Sequence, residues 1–264
     1  MEMKMKKNKT KDFSQYGSFL LSDKRNVPFA VLEAFNALRT NLSYALSTSE
    51  RKSFIITSTE ASEGKSTVAI NSAIAFSEMK SKVLLIDADM RSPVVHSRLS
   101  LKQSKGLSGL LAGFFTSDEC IQAYNDYMDV IPAGEIAPNP SELLASLAMK
   151  SLLSEMEKHY DYIIVDTPPC NVVTDALVFA HETAGVAIAV RENYTVHPML
   201  ERLLEQMEFA NVKVLGIILN DAGADGRAYG KYGHYGKYRK YGKYSKYGYY
   251  GNDDHPENDQ ASHG

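Results

Sequence analysis

Ser62-Glu63-Gly64-Lys65-Ser66-Thr67 has the composition of a loop that cradles phosphate. A glycine lets backbone approach anionic oxygens, and a helix starting beside it offers unpaired N–H groups and a positive dipole end. Lys65 would reach the β- and γ-phosphates of a nucleotide, and the Ser66 hydroxyl would coordinate Mg²⁺. The usual first glycine of such a loop is replaced by Thr59. Two further segments carry acids directly after apolar runs: Leu84-Leu85-Ile86-Asp87-Ala88-Asp89-Met90-Arg91 and Ile163-Ile164-Val165-Asp166-Thr167-Pro168-Pro169. Mg²⁺ bridging β- and γ-phosphates, with a carboxylate to orient or deprotonate the acceptor, is what phosphoryl transfer requires. Asp166 is expected as the outer-sphere Mg²⁺ partner, and Asp87 lies where an attacking hydroxyl would arrive and is also a candidate for the metal. Asp89 suits either role, and Arg91 would hold a phosphate or an acid partner. Asn220 would read an adenine edge or cap the turn that follows it.

A row of possible acceptors lies near the end of the chain. Tyr229, Tyr232, Tyr235, Tyr238, Tyr241, Tyr244, Tyr247 and Tyr250 recur every third residue, with Tyr249 as a ninth. Six glycines and several lysines fill the gaps, which is too glycine-rich for a stable helix. A phenol titrates near ~10, so a carboxylate nearby helps to remove its proton at neutral pH. Phosphate on all nine would add about −14 to −18 charges and turn a basic segment strongly acidic. A flexible chain of ~25 residues spans roughly 25–30 Å, enough for its own site or a neighbour's.

The elements that must position these groups alternate. An amphipathic helix is expected over 28–47, where Leu32, Phe35, Leu38, Leu42 and Leu46 fall at spacings of three and four. Strands follow at 54–57, 83–86, 129–131, 162–165, 185–190 and 213–219, with helices at 66–79, 141–158, 175–182 and 198–209. Continuous apolar strands separated by amphipathic helices predict an α/β fold whose mainly parallel sheet is covered on both faces. In such a sheet the ligand crevice lies beyond the carboxyl ends of the strands, so the phosphate loop and both acid segments reach one rim. The predicted organisation is a flexible basic arm over 1–27, a core domain over 28–222 and a disordered tyrosine cluster with an acidic end over 223–264.

At 264 residues, 44% hydrophobic and 23% charged, the chain fits one α/β domain with appendages. The net charge of −3 conceals a basic stretch from Gly226 to Gly251 with seven Lys/Arg and no acid. No run approaches the roughly 18–20 apolar residues that span a bilayer, and no apolar signal core follows the basic start. Cys120 and Cys170 form neither a disulfide framework nor a metal spacing, which fits a reducing cytoplasm; Cys170 is expected to pack in the interior.

These motifs together resemble the bacterial tyrosine kinases of capsule and exopolysaccharide clusters. The resemblance rests on the loop at 64–67, the segments at 84–91 and 160–169, the tyrosine cluster, and Glu33-Ala34-Phe35 with Leu38-Arg39-Thr40-Asn41 before the core. It covers about residues 28–250 and implies a P-loop NTPase fold and ATP-dependent autophosphorylation of the tyrosine cluster, largely between subunits of a ring-shaped homo-oligomer. It also implies a membrane-embedded activator of the polysaccharide co-polymerase type as a separate chain, and a cognate tyrosine phosphatase. A cytoplasmic protein drawn to the inner face of the membrane by that partner would follow. Two departures are Ala61-Ser62, where members often have Pro-Gly, and Asn36, where the oligomer-forming helix often has its first arginine. Two alternatives remain: a partitioning or division-type ATPase without phosphotransfer, and a nucleic-acid-binding tail in which tyrosines stack bases. Nucleic acid is not the expected partner.

Overall fold

Phe54 and Ile56 point to one side of a strand and Ile55 to the other, and all three are completely buried. A strand buried on both faces belongs in the middle of a sheet, and that is where β1 (Ser53–Ser58) lies. The computed structural model describes residues 20–23 and 26–222. Within them, β2 (Val83–Asp87), β3 (Gln122–Asn125), β4 (Met128–Ile131), β5 (Tyr162–Asp166), β6 (Val186–Arg191) and β7 (Val214–Asn220) complete a sheet ordered β3-β4-β2-β5-β1-β6-β7. Every neighbouring pair is parallel except the β3–β4 edge hairpin.

One face of the sheet packs against α1 (Phe29–Leu46) and α2 (Lys65–Ser77); Phe54, Ile56, Leu85 and Ile164 meet Val68, Ile70, Ile74 and Phe76 there. α2 is a middle layer. Every residue from Val68 to Ser77 is buried, because the sheet lies on one side and α1 on the other. Arg39 of α1 donates through Nη1 to the Ala75 carbonyl of α2 at 3.1 Å. The opposite face, with Ile55, Leu84, Ile86, Ile163 and Ile188, is covered by α4 (Leu107–Leu111), α6 (Pro140–Leu144), α7 (Leu147–Met156) and α8 (His197–Phe209).

The sequence expected one helix over 141–158; the structure divides it into α6 and α7. Ser146 causes the break by capping α7, accepting from the Met149 N–H at 3.4 Å. The segment expected as a helix over 175–182 is a 3₁₀ stretch, Leu177–Glu182. α3 (Val95–Arg98), α5 (Ser117–Cys120), α4 and β3 had no assignment, since four or five residues hold too little periodicity to read. Leu21, within the predicted arm, is buried against this core, and its N–H donates to Asn71 Oδ1 of α2 at 2.9 Å. Residues 1–19 and 24–25 of the arm and the tyrosine cluster fall outside the described residues.

Leu85 lies in the buried centre of β2. Leu85→Ala should lower unfolding stability by roughly 2–5 kcal/mol, read from chemical denaturation of the nucleotide-free chain.

Candidate active site

The register of the sheet assembles the site. β2 and β5 are neighbours, and Asp87 and Asp166 are direct register partners at their carboxyl ends. β1 lies beside β5 and runs into the phosphate loop, so the three segments singled out in the sequence share one rim. Gly64 caps α2 in a left-handed conformation, φ 91°. The φ of 91° favours glycine, and a Cβ placed there would come within 1.9 Å of Asn220 Nδ2 and displace that side chain. Ser62 is left-handed as well, φ 66°, a conformation uncommon for a residue other than glycine.

Lys65 leaves the first turn of α2 and enters the acids. Its Nζ lies 2.7 Å from Asp89 Oδ2 and 3.7 Å from Asp166 Oδ1, and donates to Ser66 Oγ at 3.2 Å. Burial works against the ammonium, but Asp166, Asp89 and Asp87 outweigh it and hold its pKa above the ordinary lysine value. Asp87 is fully buried; its Oδ1 accepts from the Asp89 N–H at 3.1 Å and its Oδ2 from the Val95 N–H at 3.2 Å. Burial, and then the neighbouring Asp166, push the Asp87 carboxyl well above the usual aspartate range. Asp89 also accepts from the Ser92 N–H at 3.0 Å.

Asp166 is different. Neither of its oxygens has a hydrogen-bond partner, although the residue is wholly buried. Burial raises its pKa, and Lys65 opposes the rise. A buried carboxylate with no hydrogen bond on either oxygen, beside the Ser66 hydroxyl, the Lys65 ammonium at 3.7 Å and a second carboxylate, suits a hard cation with oxygen ligands. Among the described residues no group of three His, Cys, Asp or Glu side chains forms a metal cage. Mg²⁺ does not need one, since it keeps several waters and takes ligands from phosphate.

The remaining candidates occupy supporting positions. Thr67 Oγ1 accepts from Arg98 Nη1 at 2.5 Å. Arg91 takes an acid partner: its guanidinium meets the buried Asp175 carboxylate at 2.8 and 3.2 Å, and Ser141 also donates to Asp175. Asp175, read from the sequence as a helix start, is thus the anchor of Arg91. Asn220 engages the phosphate loop, its Nδ2 donating to the Glu63 carbonyl at 3.0 Å. Arg191, unassigned in the sequence, pairs with Asp221 at 2.9 Å and reaches the Ser62 carbonyl at 3.5 Å. Nothing near either residue in the chain signals these contacts, which join the ends of β6 and β7 to a loop more than a hundred residues earlier. Cys170 packs inside against Thr57, and burial pushes its thiol up to about 11. The tyrosines lie outside the described residues.

The acid pair has a cost that pH should reveal. A carboxyl with a raised folded pKa stabilises the fold fully below its unfolded value of about 4, and that stabilisation is lost as pH rises through the folded value. Nucleotide-free Asp166→Asn should therefore be at least as stable as wild type at pH 7, with its advantage fading as pH falls toward about 4. Thermal unfolding across a pH series measures this.

Comparison with known proteins gives this rim its context. Residues 51–214 match the family model described as an AAA domain. The chain is 37% identical over 203 residues to tyrosine-protein kinase YwqD of Bacillus subtilis (strain 168), covering 76% of this chain and 86% of that protein. It is 34% identical over 196 residues to the putative tyrosine-protein kinase CapB of Staphylococcus aureus, covering 74% and 86%. Among solved structures, the kinase domain of Escherichia coli tyrosine kinase ETK superposes with a TM-score of 0.69 at 33% identity, covering 72% of this chain and 77% of that one. With sequence and fold matched over most of the domain, the chain belongs to the bacterial tyrosine-protein kinases.

Proposed function

We propose that this kinase moves the γ-phosphoryl group of ATP to tyrosine hydroxyls of its own C-terminal cluster, Tyr229 to Tyr250, largely between subunits of a ring-shaped homo-oligomer. The observation that carries the reading is the convergence of Lys65, Asp87, Asp89 and Asp166 on one phosphate loop, in a chain that also carries eight tyrosines at three-residue spacing and a ninth beside the last.

The backbone N–H groups of Ser62 to Thr67, with Lys65, hold the β- and γ-phosphates. Phosphate oxygens compete with Asp89 for the Lys65 ammonium, which lies 2.7 Å from that carboxylate before nucleotide arrives. Ser66, Asp87 and Asp166 would hold Mg²⁺, which when bound neutralises charge between the phosphates. Asp87 accepts the phenolic proton as the tyrosine oxygen attacks the γ-phosphorus. The bond from that phosphorus to the β-phosphate oxygen breaks, and ADP leaves. Asn220 serves the nucleotide through the loop it supports.

In this reading the kinase regulates capsular or exopolysaccharide synthesis and chain length. It works in the cytoplasm at the inner face of the membrane, with a membrane-embedded activator of the polysaccharide co-polymerase type and a tyrosine phosphatase that reverses its product. No helix among the described residues is long and apolar enough to cross a membrane, so attachment through a partner is consistent with what the domain contains. Against a partitioning-type ATPase stand the kinase names of relatives at 34% and 37% identity.

Incubation of the full chain with Mg-ATP and an activator fragment, followed by mass spectrometry of the C-terminal peptide, tests the proposal. Phosphate should appear on Tyr229–Tyr250 and should be lost in Lys65→Met. ATP hydrolysis with no phosphotyrosine would sink the autophosphorylation reading.

A further inference from the structure

Glu63 is the anomaly of the phosphate loop. A loop that receives a polyanion should not bury a carboxylate, yet this one is completely buried, and among the described residues no cation pairs with it. Four donors fill it instead. Oε2 accepts from the Thr59 N–H at 2.7 Å and the Glu60 N–H at 3.0 Å, and Oε1 from the Thr59 hydroxyl at 2.6 Å and the Thr195 hydroxyl. An ionised carboxylate has about four lone-pair sites, so its capacity is used up within the protein.

The four donors come from two places. Three belong to Thr59 and Glu60, at the entry to the loop, where a first glycine would ordinarily give the backbone its freedom. Glu63 binds that entry from inside, between the two left-handed residues Ser62 and Gly64. The fourth donor, Thr195, is 132 residues away, in the turn after β6. Its hydroxyl accepts from the Arg191 N–H at 2.8 Å, so its single proton is committed to Glu63. The turn is itself closed, with the N–H groups of Tyr194 and Thr195 both bonded to the Arg191 carbonyl.

We propose that Glu63 is the positioning residue of the phosphate loop. Its carboxylate holds the loop entry closed so that the following N–H groups face the phosphates, and Thr195 fixes the carboxylate from the β6 turn. The inference rests on nucleotide binding at this loop. Glu63 touches no phosphate in this account; it acts through the backbone of Thr59 and Glu60. A glutamine in its place keeps the shape but turns two acceptor sites into N–H donors facing other donors.

The test uses the full chain and measures the Kd for Mg-ADP by calorimetry, with thermal unfolding of the nucleotide-free protein beside it. Thr195→Val should weaken Mg-ADP about tenfold to a hundredfold, the size of one hydrogen bond to a charged group. Thr195→Ser should return the Kd to within about twofold of wild type, a restoration a purely steric role would not produce. Glu63→Gln should weaken binding at least as much, and adding Thr195→Val to it should cost less than the product of the two single effects. A Thr195→Val Kd within twofold of wild type overturns the proposal, as does a Thr195→Ser protein as weak as the valine variant. Full multiplicativity in the double variant also overturns it. Should Glu63→Gln not be recovered folded, the Thr195 pair decides. Wild type that fails to bind Mg-ADP removes the nucleotide reading of the loop itself, an outcome distinct from a wild type that binds and variants that do not differ.

Discussion

Two carboxylates side by side at the ends of adjacent parallel strands, buried from water, cannot both stay ionised unless a positive charge is brought to them. Asp87 and Asp166 are in that position by the register of β2 against β5, and Lys65 is the charge brought. Much of the remaining architecture follows from that constraint. α2 must start where Lys65 can reach both strands, which places the loop at the end of β1, next to β5. Gly64 turns through a left-handed conformation that other residues rarely adopt, and Asn220 fills the space its missing side chain leaves. Asp166 meets that charge at 3.7 Å without a hydrogen bond to either of its oxygens.

The parts of this arrangement that follow from local pattern were legible in the sequence. Three apolar strands ending in Asp87, Asp166 and the phosphate loop announce a parallel sheet with one polar rim, and the sheet has that rim. Helix 28–47 was readable from its leucine spacing and appears as Phe29–Leu46. What could not be read depends on distance along the chain or on shortness. Thr195 approaches Glu63, and Asp175 approaches Arg91, only because the strands are ordered as they are, and no spacing in the chain encodes that order. The stretch from 92 to 125 is built of four- and five-residue pieces held by tertiary contacts, and Ser146 breaks a helix that apolar periodicity alone would continue.

The acids and the loop supports divide the site into two kinds of residue. Lys65, Asp87, Asp89 and Asp166 face one another across the rim, where charge changes as nucleotide comes and goes. Glu63 from within the loop, and Arg191 and Asn220 from outside it, hold its backbone. The second group is drawn largely from the ends of β6 and β7, on the opposite side of β1 from the acids. The phosphate loop is therefore gripped from one flank and charged from the other.

The burial of α2 on both sides has a further consequence for how such a domain can diversify. A helix with no solvent face offers no position from Val68 to Ser77 at which a side chain can grow or gain charge without disturbing the sheet, α1 or both. The helix that aims Lys65 thus tolerates little change in size or charge. Inherited change has to settle elsewhere, on surfaces such as the outer side of α8, where Phe209 is almost wholly exposed. New partners can be acquired on such surfaces while the aim of the lysine stays fixed.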